Sequence, residues 1–447
     1  MTSTSASEPP AGPSDPFELL KSRSYLTLLV MGALIGVPVA AAAYYYLKWV
    51  NVSQNWVFTT LPHDLGFHGA PAWWPLVPLG LSGVVVALSI RFLPGTSGHR
   101  PTEGFKAAGA VAPVDLYGII VASFATLALG VVLGPEMPLV ALGSGLGVLA
   151  VHLVKKDAPA QAAVVIGAAG SFAAISTILG SPLVGAFLLM EAAGLGGPML
   201  GIVFMPGLLA AGIGSLIFVG LYHWTGYGPF TLSIPHIPPF KSPDGWEFLW
   251  ALAIGVAAPV FAVAIRRLAL ALQPRVERRM FALLPLCGLA VAGCAIAFAE
   301  ATGRASSEVL FSGENALAPL VEHAASWTAG ALVLLVLFKG LAYGISLAGF
   351  RGGPTFPAMF IGAAGGIALS HLPGLPMIAG VGMGIGAMTV AILRLPLTAV
   401  LLASLFLQAD ALALMPLIIV AVVVSFVATA RITPAEGISE PTPAAAT

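Results

Sequence analysis

Charge is what this sequence lacks. Only 9% of its 447 residues are Asp, Glu, Lys or Arg, where a soluble globular protein carries about 25%. So few charges do not cover the surface of a water-soluble domain. The 19 basic and 19 acidic side chains also cancel, which leaves no basic face for nucleic acid and no acidic tail for a cationic partner. Cysteine is scarce too. Cys287 and Cys294 share one apolar stretch and lie about 10 Å apart along a helix, too far for a disulfide; with no metal-ligating neighbour, both read as packing residues. The first 22 residues, rich in Ser, Pro and acid, lack the basic segment and apolar core of a cleaved signal. The N-terminal tail is therefore expected to stay in the cytoplasm.

What is present is apolar: 58% of the residues, with a mean hydropathy of +0.96. Apolar runs follow one another from Tyr25 to Ala430 with short polar breaks, the pattern of a single polytopic membrane domain. Stretches of about 17–25 residues match a hydrocarbon core of about 30 Å, and they fall at 25–47, 75–93, 115–133, 199–221, 247–272, 280–300, 326–348 and 411–430. Basic residues orient them. Lys21 and Arg23 precede the first span, the 51–74 loop has neither Lys nor Arg, and Arg91, Arg100 and Lys106 follow the second. Lys155, Lys156 and the Arg266–Arg279 cluster then fall inside, while Glu300, Glu308, Glu314 and Glu322 fall outside. Both termini are expected in the cytoplasm. Residues 1–22 and 433–447 read as disordered tails around one domain at 23–432, with halves at about 23–223 and 245–432.

Four places are broken by Gly and Pro: Gly134–Pro138, Gly180–Pro182, Gly352–Pro357 and Leu395–Pro396. Broken helices at membrane depth are tolerated where the freed backbone is buried in protein or lines a wet cavity. Setting Pro182 against Pro396 pairs Gly170 with Gly384 and Ala173 with Ala387. Matched broken helices in two halves point to a substrate site at their interface. Within the first break, Glu136 stands between two prolines at the start of an apolar run. An ionisable residue there costs several kcal/mol unless it faces a cavity or partner. Free N–H groups at a helix start attract anions, so the Glu136 carboxylate itself is suited to that place until a proton releases it.

These residues resemble a known family. Gly134-x-Glu136-x-Pro138 is similar to the G-[RK]-E-G-P signature of the chloride channel and transporter (CLC) family. Gly167 to Ala174, leading to Ser181-Pro182-Leu183-Val184-Gly185 and Glu191, resembles a second family segment. Gly352 to Pro357 resembles its GGIFAP, and Gly384 to Leu402, containing Arg394 to Thr398, resembles a fourth. The family's G-S-G-I-P finds a looser counterpart in Gly95 to Pro101, with one extra residue before the proline; Ser97 is the expected anion-contacting hydroxyl and Thr96 the alternative.

The resemblance implies an all-α polytopic membrane protein, a divergent prokaryotic-type member without cytoplasmic regulatory domains. Its two inverted-topology halves would bring broken helices together at the bilayer midplane. It implies transport of small anions, most of all chloride, through a pore in each subunit of a homodimer, in a bacterial inner (plasma) membrane among lipid. Ser97, Gly98, Met137, Thr355 and Phe356 would contact the anion, and Glu136 would be gate and proton acceptor. No enzyme activity, cofactor, metal or nucleic acid is implied. The substrate is chloride or another small anion, with H+ in the exchanger version.

Several positions depart from the pattern. Pro354 and Thr355 stand where the family has isoleucine and phenylalanine, and proline has no N–H to donate. The family's paired glutamates become Glu191-Ala192, leaving Glu191 as either an inner proton acceptor or a structural carboxylate. No tyrosine follows Tyr343 to supply the hydroxyl expected from the last helix. Chloride/proton exchange therefore stands beside passive conduction of chloride or fluoride, with a cation/proton transporter as a remote third reading. His63, Asp64 and His68 read as surface residues, and Arg394 as a carbonyl cap or an attractor of anions.

Overall fold

A computed structural model describes residues 21–105, 109–156, 158–196, 200–226, 240 and 243–433. Most of residues 1–22, Lys106 and the tail after Thr433 lie outside the described residues, so the expectations placed there are not addressed. The described chain is helical, and its one β-type contact is the isolated bridge between Gly134 and Gly353.

The first half holds α1 (Arg23–Asn55), α2 (Leu76–Phe92), α3 (Leu116–Ala128), α4 (Glu136–Val154), α5 (Ala160–Leu179), α6 (Pro182–Ala192) and α7 (Met205–Thr225). The second holds α8 (Gly245–Arg278), α9 (Met280–Thr302), the short α10 (Glu314–Glu322), α11 (Ala329–Leu347), α12 (Thr355–Leu369), α13 (Met377–Leu393), α14 (Pro396–Leu407) and α15 (Ala411–Ile432). Among the described residues, eight helices are long and apolar enough to cross a membrane, and α4 and α5 are two of them. The start of α4 is broken as expected, whereas α5 begins after Pro159, outside the four expected breaks, and both helices run uninterrupted.

Three boundaries differ from the hydropathy reading. The first span does not stop at 47: α1 runs to Asn55 and continues through a π-helical turn, Trp56–Thr60, to Asp64. No Gly or Pro falls between 48 and 61, and Gln54 hydrogen-bonds the Leu127 carbonyl across to α3. The third span is shorter than 115–133 because Gly130 takes a left-handed φ of 98° just past α3, a conformation that glycine adopts without a Cβ clash. In the second half, α8 extends beyond 272 to Arg278. Its start is fixed by a capping box, in which Asp244 accepts from the Trp246 and Glu247 amides and Glu247 accepts from the Asp244 amide.

The internal repeat is visible in packing. Gly143 of α4 meets Gly170 of α5 backbone to backbone, and Gly362 of α12 meets Gly384 of α13 in the same way. A side chain at any of the four would overlap the facing carbonyl, so each half closes its central helix pair on glycine. Around this core, α2 and α9 pack through Gly83 against Pro285 and Gly288 against Leu79. That pairing is antiparallel and defines two ends of the molecule. Arg100 and Glu277 lie at one end; Asn51, Asn55 and Glu314 lie at the other.

Candidate functional site

The site is built where α4 and α12 begin. Gly134-Pro135-Glu136-Met137-Pro138 and Gly353-Pro354-Thr355-Phe356-Pro357 have the same layout. In each helix the first proline is the N-cap and the second falls in the first turn, where its missing N–H would have had no intrahelical partner. Pro354 thus immediately precedes the helix. The amides of Gly134 and Gly353 donate to each other's carbonyls at 2.8 and 2.6 Å, which holds the two helix starts tip to tip.

The close approach leaves no room for side chains at these glycines. A Cβ on Gly353 or Gly134 would overlap the Glu136 carboxyl group. Glu136 is 1% exposed, and its Oε1 accepts a hydrogen bond from the Thr355 amide at the start of α12. Its other oxygen has no hydrogen-bond partner among the described residues, and neither does the Thr355 hydroxyl. The Phe356 amide also faces the carboxylate. Glu136, Thr355 and Phe356 therefore form one buried cluster in which a negative group sits on a helix N-terminus, the favourable end of the macrodipole.

Ser97, Gly98 and Met137 line a neighbouring cavity of about 460 Å³, together with Thr96, Arg351 and Gly352. The loop that presents Ser97 runs left-handed through four successive residues, with φ of 72°, 48°, 61° and 86° at Gly95, Thr96, Ser97 and Gly98. Left-handed backbone at Thr96 and Ser97 stores about 1–3 kcal/mol each. Of the two hydroxyls left open by the sequence, Ser97 is buried and Thr96 is exposed. The Ser97 hydroxyl lies 2.9 Å from that of Ser89, and Ser89 donates to the Gly118 carbonyl. With Ser89 donating to Gly118, Ser97 is the donor within the pair.

Glu191 is elsewhere. Its carboxylate receives the Leu397 amide at 2.9 Å, the Thr398 amide at 2.7 Å and the Thr398 hydroxyl at 2.6 Å. It thereby caps α14 from the opposite half. Arg394 takes a left-handed φ of 60° at the end of α13 and its amide bonds the Val390 carbonyl. His63 and Asp64 belong to the helical extension of α1, and no group of three or more His, Cys, Asp or Glu suited to a metal occurs among the described residues.

Four residues take places that the sequence reading did not give them. Tyr343 is buried on α11 and donates to the Pro354 carbonyl at 2.9 Å, so a tyrosine hydroxyl does reach the start of α12, though from α11 and not from the last helix. Lys339, also fully buried on α11, donates to the carbonyls of Glu308, Val309 and Leu310 at 2.9–3.1 Å. Arg351 lines the Ser97 cavity. Glu314 and Pro135 line a second cavity, of about 320 Å³, at the opposite end. A lone charge in an apolar stretch was the available signal for Lys339 and Arg351.

Comparison with known proteins agrees with this architecture. The sequence profile of the voltage gated chloride channel family matches residues 83–429. The chain is 29% identical over 362 residues to "Putative ion-transport protein YfeO" of Escherichia coli O17:K52:H18 (strain UMN026), covering 80% of this chain and 82% of that protein. The same identity and coverage hold for the protein of that name in Escherichia coli O7:K1 (strain IAI39). Its fold is similar to that of a slow cyanobacterial Cl−/H+ antiporter, with a TM-score of 0.72, 20% identity and coverage of 91% of this chain and 94% of that one. It is also similar to a CLC-type fluoride/proton antiporter, with a TM-score of 0.66, 17% identity and coverage of 93% and 96%. With its helix starts joined tip to tip and a family match over most of its length, the chain belongs to the voltage gated chloride channel (CLC) family.

Proposed function

We propose that the chain carries small anions, chloride first among them, through a pore within each subunit, with Glu136 as the gate and proton acceptor. The observation that carries this reading is the contact between the Glu136 carboxylate and the Thr355 amide. A helix N-terminus binds a small anion through its unpaired N–H groups and its dipole. Here the protein's own carboxylate holds that position. Protonation removes the negative charge and weakens the hold, so an anion takes the place of the side chain. One group thereby links proton uptake to anion entry, the minimal requirement for exchange. Ser97, Gly98, Met137, Thr355 and Phe356 line the route, and the end bearing Arg100 faces the cytoplasm, as do both termini. Family membership favours a homodimer in a bacterial plasma membrane, with lipid against the outward apolar side chains.

The test is anion flux from proteoliposomes across pH, comparing chloride, nitrate and fluoride, for wild type and Glu136→Gln. Wild-type flux is expected to rise in acid, and the variant is expected to lose that dependence. A variant that kept the wild-type pH profile would remove Glu136 as the gate.

A second reading, passive conduction, draws support from Glu191. Its carboxylate is engaged by Leu397 and Thr398, and its neighbour is Ala192, so neither position offers a free carboxylate to pass protons at the cytoplasmic end. An imposed chloride gradient separates the two readings: anion flux with no accompanying proton movement decides for passive conduction.

A further inference from the structure

Glu314 opens α10 at the end of the molecule away from Arg100, and the transport route above leaves it unused. It lines the cavity of about 320 Å³ whose wall also includes Pro135, the residue immediately before Glu136. Among the described residues of that wall Glu314 is the one titratable side chain; uncharged Asn, Gln, Ser and Thr side chains supply the rest of its polar surface. The helix start is held in place by its neighbours. Asn315 donates to the Asn51 carboxamide oxygen of α1 at 2.8 Å, and the Ser312 hydroxyl accepts from the Glu314 amide at 3.2 Å. The Glu314 carboxyl itself has no hydrogen bond or ion pair among the described residues.

Charge reaches this carboxyl from one direction. From α1 it is faced by Asn51, Gln54 and Asn55, and from α12 by Phe360, packed on the preceding Gly313. On the turn before α10, Glu308 is the group met by Lys339 and Arg304; Tyr343 of α11 is tied to the Pro354 carbonyl, and Glu322 closes the far end of α10. What acts on Glu314 is burial first and the Glu136 charge second, which together raise it to about 8. Two carboxyl groups that feel each other resist ionising together, so a proton on one is linked to the charge of the other. An ionised carboxylate in this cavity would also repel an anion, which leaves proton handling as the use of an acid there. On the other side of the pair, Glu136 has one oxygen held by the Thr355 amide and the second without a partner among the described residues. That second oxygen is an open acceptor.

We propose that Glu314 is a proton relay between the external solution and Glu136. A cavity of this size with amide and hydroxyl walls accommodates several hydrogen-bonded waters, and the proton travels along them. The O–H bond of Glu314 breaks and leaves its electron pair on the carboxylate, a new O–H bond forms on the open Oε2 of Glu136, and external water returns a proton to Glu314. The relay rests on the transport reading above, in which Glu136 gains a proton before an anion takes its place.

The test is a rapid drop in pH at the Glu314 face of oriented proteoliposomes, with the rise in chloride flux timed for wild type, Glu314→Gln and Glu314→Asp. A final pH acid enough to saturate the wild-type response separates the rate of the rise from any shift in its midpoint. Glu314→Gln is expected to slow the rise by about 10-fold or more, and Glu314→Asp, which keeps a carboxyl, should recover most of the loss. A Glu314→Gln protein that responds as fast as wild type overturns the relay alone; a wild type whose flux ignores external pH removes the transport reading and the relay with it. A second measurement needs no change at Glu314. In pH-difference infrared spectra the wild type should show a protonated carboxyl band that fades near pH 8, and in Glu136→Gln, which lacks the charge that raises it, the fading should move to lower pH. A band that is missing, or that stays put in Glu136→Gln, overturns the link between the two carboxyls and so the relay.

Discussion

Replacing Glu191 with alanine tests whether that carboxylate holds the halves together or handles protons. The α14 helix starts with Pro396, which has no N–H, so Leu397 and Thr398 carry the first unpaired amides of the helix. Glu191 satisfies both, and the Thr398 hydroxyl as well. Hydrogen bonds to a charged group contribute about 1.5–3 kcal/mol each. Leu397 is exposed, so water replaces the carboxylate there and its bond is discounted. Thr398 is fully buried, and its two bonds share one acceptor oxygen. A loss of about 3 kcal/mol is the resulting expectation for Glu191→Ala, close to 150-fold in the unfolding equilibrium. Glu191→Gln keeps one acceptor and should recover about half of that. Because large membrane proteins commonly unfold irreversibly, the measurement is the rate of thermal inactivation in detergent. A Glu191→Ala protein that inactivates at the wild-type rate but loses proton movement would refute the capping argument and make Glu191 a proton carrier.

Three further expectations follow from the packing. Gly353→Ala should force the Glu136 carboxyl away from the Thr355 amide, at a cost of about 1–3 kcal/mol, so its flux should show the flattened pH profile of Glu136→Gln; a wild-type profile would contradict the steric argument. Lys339→Met should leave three carbonyls at 308–310 without their donor and cost about 2–4 kcal/mol. Hydrogen exchange of the 306–311 segment should quicken in that variant, and unchanged protection there would refute the anchoring role. Burial, then the neighbouring Glu136 charge, raises the Glu314 carboxyl from 4.5 to about 8. Ionisation therefore favours the unfolded chain between those two values, and stability should fall as pH rises through that window and level off above it. Thermal inactivation of Glu314→Gln in detergent should show a flatter dependence from pH 5 to 8, and identical slopes would count against the assignment.

Much of the fold was legible because the bilayer imposes a simple code. Long apolar runs become helices, and glycine–proline breaks at 134 and 352 mark where helices begin. Glu136 stood out for the same reason, as a carboxylate in a stretch where charge is expensive. What remained hidden is carried by backbone. Thr355 was found through the resemblance, but the approach of its amide to the Glu136 carboxylate has no signature in sequence, and the offset chosen at Pro182 and Pro396 conceals that Glu136 and Thr355 occupy matching positions, because Glu136 stands 46 residues before Pro182 and Thr355 only 41 before Pro396. The Ser97 loop was found by its Ser-Gly pair, but the turn of its hydroxyl toward Ser89 depends on a neighbour on α2 that no local pattern announces. Arg351 was passed over because it stands one residue outside the glycine motif. Glu314 reads as an ordinary outer-loop acid until α10 folds back toward Pro135.

The reciprocal amide bonds between Gly134 and Gly353 have a mechanical consequence. Prising the two halves apart to open a passage would break both bonds in a region shut off from water, where nothing replaces them. The seam acts as a rivet, and under the proposed function traffic past it would fall to the swing of a side chain and not to a rocking of domains. Turnover should then survive a covalent staple placed across the halves well away from the seam, a property that a hinge-driven carrier would not share.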